Sequence, residues 1–116
     1  MFAGQCTSIH YERNYQGYKP RQEIAVVLDQ GWRFWLVGTE RKPVDELRLT
    51  PGTYMIGFVQ TRTRLGGAAR CELEAGQAYA IDVVGRTYVD STGTYALVGE
   101  CELTDWPHPD SSTALY

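Results

Sequence analysis

Along the middle of the chain apolar residues fall at every second position. Tyr54, Ile56 and Phe58 alternate with polar or small residues, as do Cys71 and Leu73, then Tyr79, Ile81 and Val83. A period of two is the mark of a β-strand with one buried face. The stretch from Leu47 to Val84 therefore reads as a β-hairpin, and the chain is organised around it. Pro51-Gly52 suits the central positions of a type II turn, since proline presets φ and glycine accepts φ > 0. Gly66-Gly67 reads as a break between the halves, and Ala75-Gly76 as a further turn.

The same pattern extends outward. Residues 23–28 form a strand rich in β-branched residues, Asp29-Gln30-Gly31 a turn, and Trp32–Val37 a second strand. Residues 38–43 are a polar loop. A longer loop, Gly85 to Gly93, precedes the last strand, Thr94 to Leu103. Seven strands at short spacing predict an all-β fold, an antiparallel β-sandwich of immunoglobulin-like or transthyretin-like type with little or no helix. The predicted boundaries are an extended N-terminal arm over 1–22, the sandwich over 23–104 and a tail over 105–116.

Composition agrees with this reading. The 116 residues hold 12 Gly and 8 Tyr, and they lack long runs of strong helix formers. A chain of this length is expected to form one domain with its own core. The net charge of −3 conceals an asymmetry, because basic residues dominate before position 71 and acidic ones after it. Two charged patches or complementary cross-strand pairs both account for it. The acidic balance disfavours nucleic acid as a partner. No apolar run reaches the ~20 residues of a membrane helix. No complete signal peptide precedes Cys6 either, so export would require that such a signal had been trimmed.

Three cysteines are present: Cys6, Cys71 and Cys101. Cys71 and Cys101 sit in predicted strands. They are either a disulfide, whose loop of about 30 residues would contribute roughly 3–4 kcal/mol on the chain-entropy model, or two small buried hydrophobes.

The phrase Leu49-Thr50-Pro51-Gly52-Thr53-Tyr54-Met55-Ile56, followed by Leu73-Glu74-Ala75-Gly76-Gln77-Ala78-Tyr79-Ala80-Ile81, resembles small bacterial cell-envelope β-sandwich domains, including PEGA-like domains and short lipoproteins of unknown function. Trp35-Leu36-Val37-Gly38 is similar to the strand before their polar loop. The resemblance covers roughly residues 23–103. It implies an exported, periplasmic or outer-membrane protein, lipid-anchored in many cases and not a catalyst. Such lipoproteins begin at a cysteine followed by a polar tether, which makes Cys6 the lipidation candidate. Gln5 departs from the small residue expected before that cysteine.

Other chemistry is sparse. Tyr79, three residues after Gly76, is expected to bond its hydroxyl back to nearby backbone, as a corner tyrosine does. Trp32 and Phe34 share one strand face and Trp35 the other. Trp35 and Trp106 are the ligand-binding candidates, able to stack on a sugar or anchor a protein unless the arm or tail covers them. His10 and His108 could meet Glu12, Asp105 or Asp110 at a metal only if the fold gathered them, and their spacing matches no known site. Arg62, Arg64 and Arg70 surround Gly66-Gly67 and read as a solvated tip. There is no G-x-S-x-G, H-E-x-x-H or phosphate loop. The sequence predicts no catalytic residue, no metal and no cofactor. It predicts a structural or protein-interaction module, with a carbohydrate- or other ligand-binding module as the alternative. It leaves the oligomeric state open, although edge strands of such a fold can pair into dimers.

Overall fold

The computed structural model describes residues 10–28, 30–40, 42–108 and 114–116. Eight strands form: β1 (Tyr11–Arg13), β2 (Ala25–Leu28), β3 (Trp32–Leu36), β4 (Glu46–Leu49), β5 (Gly52–Gln60), β6 (Gly66–Leu73), β7 (Ala78–Tyr88) and β8 (Tyr95–Thr104). Among the described residues the fold is all-β, with 57% in strands and bridges and no α-helix. One short 3-10 turn, Arg21–Glu23, leads into β2.

The strands make one mixed sheet in the order β1-β4-β2-β7-β8-β6-β5-β3, curled into a half-barrel. This corrects the expected seven-stranded antiparallel sandwich. A sandwich packs two sheets face to face. Here β8 pairs antiparallel with β7 and parallel with β6, and so joins the two halves into one sheet. A period of two cannot separate the alternatives, because each buries one face of every strand. The curl brings the far edge back towards the start: Phe34 and Val44 exchange two main-chain hydrogen bonds of 2.8 and 2.9 Å.

The central stretch contains one hairpin, β5–β6, and its turn lies at residues 61–65. Gly66-Gly67 is not a break. Both glycines pair within β6, and a Cβ at Gly67 would overlap the Leu97 carbonyl of β8. Glycine there reflects close backbone approach, which resembles a turn signal in a sequence. The Pro51-Gly52 and Ala75-Gly76 turns are corners, not hairpins. The strands before and after each of them pair with other partners. A tyrosine hydroxyl ties each corner: Tyr54 donates to the Thr50 carbonyl at 2.8 Å, and Tyr79 accepts from the Glu74 amide at 2.9 Å. The expected 85–93 loop is shorter than its boundaries suggest, because β7 runs to Tyr88 and Val89 still pairs with Thr94.

Inside the curl, Val27, Phe34, Leu47, Leu49, Ile56, Phe58, Cys71, Leu73, Tyr79 and Ile81 form the main core. Complete burial of each large side chain contributes about 1.5–3 kcal/mol, so this cluster dominates stability. A second cluster lies on the outer face of β2, where Ile24 and Val26 meet Ala78, Tyr116, Tyr15 and Trp106. The arm and tail supply that cover. Lys19 and Tyr116 exchange two main-chain hydrogen bonds of 2.8 Å, and β1 pairs parallel with β4.

Candidate functional site

The half-barrel leaves a cleft between β1 and β3. Glu12, Arg13 and Asn14 line one side, and Trp35, Leu36, Thr39, Glu40 and Lys42 the other. Leu47 and Leu49 of β4 lie below. Its volume is about 240 Å³. The alternation of β4 aims Leu47 and Leu49 into the curl. Glu12 is in register with Leu47, which places it above this floor.

Several rim groups already have partners. Lys42 Nζ lies 3.6 Å from Glu40, and the Asn14 amide donates to the Tyr54 hydroxyl at 2.9 Å. The Arg13 guanidinium donates to the Gly17 carbonyl and sits over the Tyr18 ring, 4.7 Å from its centroid. Among the described residues, Glu12 has no ion-pair or hydrogen-bond partner. The floor is therefore apolar and the rim mixed in sign, with one unpaired carboxylate.

Trp35 stands at this cleft, cross-strand from Gly57. Its indole lies over the bare glycine, and a Cβ at position 57 would overlap the ring. An aromatic ring covering a strand glycine restores the apolar cover that the glycine lacks. Trp106 is placed differently, in the packed tail. Its ring meets Tyr116 edge-on with centroids 5.3 Å apart, its Nε1–H donates to the Tyr116 hydroxyl at 3.2 Å, and Arg21 stacks on it at 4.5 Å. The two candidate tryptophans are thus not brought together.

Beneath the tail lies a polar group that sequence reading missed. Glu46 is only 3% exposed. His108 Nε2 reaches its two oxygens at 3.0 and 3.1 Å, and Arg48 Nε reaches one at 2.5 Å. The Arg48 guanidinium stacks on Tyr11 at 3.7 Å. In Glu46-Leu47-Arg48-Leu49 the charged residues alternate with leucines, which reads as a solvated face; the tail is what buries them. Beside them, burial pushes the Tyr15 hydroxyl above its ordinary pKa, against the lowering pull of Arg13 and Arg48. Its oxygen is buried without a partner among the described residues.

The remaining candidates are scattered. Cys71 and Cys101 form a disulfide that spans β6 and β8. Cys6 and Asp110 lie outside the described residues. Among the described residues, neither His10 nor His108 belongs to a group of three or more potential metal ligands; the His10 carbonyl accepts from the Asp45 and Glu46 amides and the His108 ring faces the Glu46 carboxylate. Asp82, Glu100 and Glu102 hold carboxylate oxygens within 4.8 Å of one another on β7 and β8. The Asp82 charge is the main reason the Glu102 carboxyl is raised above its ordinary value. Part of the acidic excess is thus a patch.

No protein-family model matches the chain, and no curated protein or solved structure is significantly similar to it.

Proposed function

We propose that this chain is a non-catalytic module of the bacterial cell envelope with a protein-interaction or structural role, in the manner of PEGA-like domains and small envelope lipoproteins. The Cys71–Cys101 disulfide carries this reading. Such bonds persist in oxidising compartments such as the periplasm and are rare where thiols are kept reduced. Cys6 is the proposed lipidation point, with residues after it serving as the tether.

The test is thiol trapping in cells, followed by fractionation and mass spectrometry of the native protein. The expected result is an envelope-associated protein with Cys71 and Cys101 oxidised and an acylated Cys6. A cytoplasmic protein with three trappable thiols sinks the reading.

A second reading, saccharide binding through an aromatic face, draws on the place of Trp35 at the cleft. Its test is a glycan array with Trp35→Ala. The cleft volume of about 240 Å³ weighs against it. Pockets for whole small ligands span roughly 300–1,000 Å³.

A further inference from the structure

We propose that the cleft between β1 and β3 is a β-augmentation site for an extended segment of a partner protein. That segment adds a strand to β1, places one large apolar side chain in the cleft and sets a basic residue beside Glu12. The inference rests on the protein-interaction reading above and names the class of partner.

Three observations converge. The first is the open edge. β1 is the outermost strand of the sheet. The His10 carbonyl accepts from the Asp45 and Glu46 amides, and the Asn14 amide donates to the Arg48 carbonyl. In a parallel ladder this parity turns alternate residues towards the neighbour. Tyr11 and Arg13 therefore direct their main-chain N–H and C=O away from β4. An added strand has those groups to pair with, which is how such complexes gain affinity.

The second is the slot. Its base is closed by Leu47 and Leu49 of the core cluster, themselves 1% and 0% exposed, the half-buried Leu36 and Trp35 are its more accessible apolar residues, and its 240 Å³ suits one side chain rather than a drug-sized ligand. A pocket beside an augmented edge gives specificity for alternate side chains. The third is charge. Lys42 is satisfied by Glu40, whereas Glu12 stands above the floor without a partner among the described residues. A basic residue two positions from the apolar one, on the same face of the added strand, completes that rim. An acidic one meets Glu12 with like charge, which discriminates against wrong partners.

The test uses the whole protein and a capped octapeptide of serine and threonine with a central lysine-threonine-leucine run, which sets the lysine and leucine side chains on one face of the added strand. Binding is followed by amide chemical shifts in NMR. The expected shifts centre on Tyr11–Asn14 and Leu36. Replacing the peptide leucine by serine, or N-methylating its pairing amides, weakens binding by about tenfold or more, since each removes on the order of 1.4 kcal/mol. Lysine changed to glutamate in the peptide weakens binding to the natural protein, and Glu12→Lys reverses that preference. Glu12 is at the surface, so this variant keeps the fold. The proposal is overturned by any of four results: no shifts at Tyr11–Asn14, shifts confined to another face, equal binding of the N-methylated peptide, or a preference that Glu12→Lys leaves unchanged. An envelope partner cross-linked to another surface, with the peptides silent, overturns this proposal and leaves the module reading standing.

Discussion

Glu46 and His108, 62 positions apart in the chain, meet at 3.0 Å under the C-terminal segment. Arg48 bonds the same carboxylate from the side. The group is buried because Trp106, His108 and Tyr116 pack their rings over the outer face of β2 and β4. Removing one partner of such a group leaves an uncompensated charge. Glu46→Ala is expected to destabilise the fold by about 3–5 kcal/mol, by stranding Arg48. His108→Ala costs less, because Arg48 still satisfies the carboxylate. A double-mutant cycle between Glu46→Ala and His108→Ala, read by urea denaturation, should give a coupling of about 0.5–3 kcal/mol. Strict additivity would mean that the contact holds nothing in solution.

The Cys71–Cys101 bond ties β6 to β8 at the seam that unites the two halves of the sheet. The two cysteines are 30 positions apart in the chain. Reduction, or replacement of both cysteines by alanine, should lower unfolding free energy by about 3–4 kcal/mol. The check is the denaturation midpoint with and without reductant. An unchanged midpoint would show that the bond constrains nothing in the unfolded chain.

Trp35 and Gly57 form a cross-strand pair in which only glycine leaves room for the indole. Gly57→Ala forces the ring off its strand and should cost about 1–3 kcal/mol, the usual penalty of overpacking. In a Trp35→Ala background the same substitution should be nearly neutral or stabilising, since alanine then only fills vacated space and limits the unfolded chain. Equal effects in both backgrounds would count against the stacking.

The strands were legible because alternation reports a buried face directly, and Tyr79 was legible because its distance from Gly76 fixes its reach to the Glu74 amide. The single curled sheet was not. It depends on β8 choosing β6 as a second neighbour, and nothing local in Tyr95–Thr104 encodes a partner. Gly66-Gly67 misled for a related reason, since glycine serves close strand approach as well as turns. The site was the least legible. Trp35 stood out as a large aromatic, but the Leu47 and Leu49 floor looks like any core, and β1 is a three-residue strand inside a polar segment. Glu46 resembled a surface charge until the tail, distant in sequence, lay over it.

Arg64 is the one described residue other than glycine with positive φ, at 62°. It sits in the β5–β6 turn, where its amide donates to the Gln60 carbonyl at 2.8 Å. The left-handed conformation costs an L-residue about 1–2 kcal/mol, which glycine avoids. Part of that gain is lost to the greater freedom of glycine in the unfolded chain. Arg64→Gly should therefore leave stability unchanged or raise it by up to about 1 kcal/mol, whereas Arg64→Val should lower it. Melting curves of the two variants decide the matter. A glycine variant less stable than the valine one would contradict the backbone assignment.

Glu102 provides the pH test. Its carboxyl is raised above the ordinary 4.5, first by the Asp82 charge, then by desolvation, by a hydrogen bond that its protonated form donates to Asp82 and by the charge of Glu100. A raised folded-state value means that the folded protein holds this proton more tightly than the unfolded chain. The resulting stabilisation is complete below the unfolded value and disappears as pH rises through the folded one. Asp90 works in the opposite sense. Hydrogen bonds from the Thr92 side chain and amide hold it below its ordinary 3.8, so its contribution is present above that value and disappears as pH falls beneath it. Glu102→Gln should then raise stability at neutral pH, where the like charges repel, and flatten the profile just above pH 4.5. Asp90→Ala should flatten it below pH 3.8 and leave the Glu102 window intact. Urea midpoints across both windows, measured at low salt because exposed charges are readily screened, test the two assignments separately. A Glu102→Gln profile that overlays the natural one above pH 4.5 would mean that Asp82, Glu100 and Glu102 do not act on one another in solution.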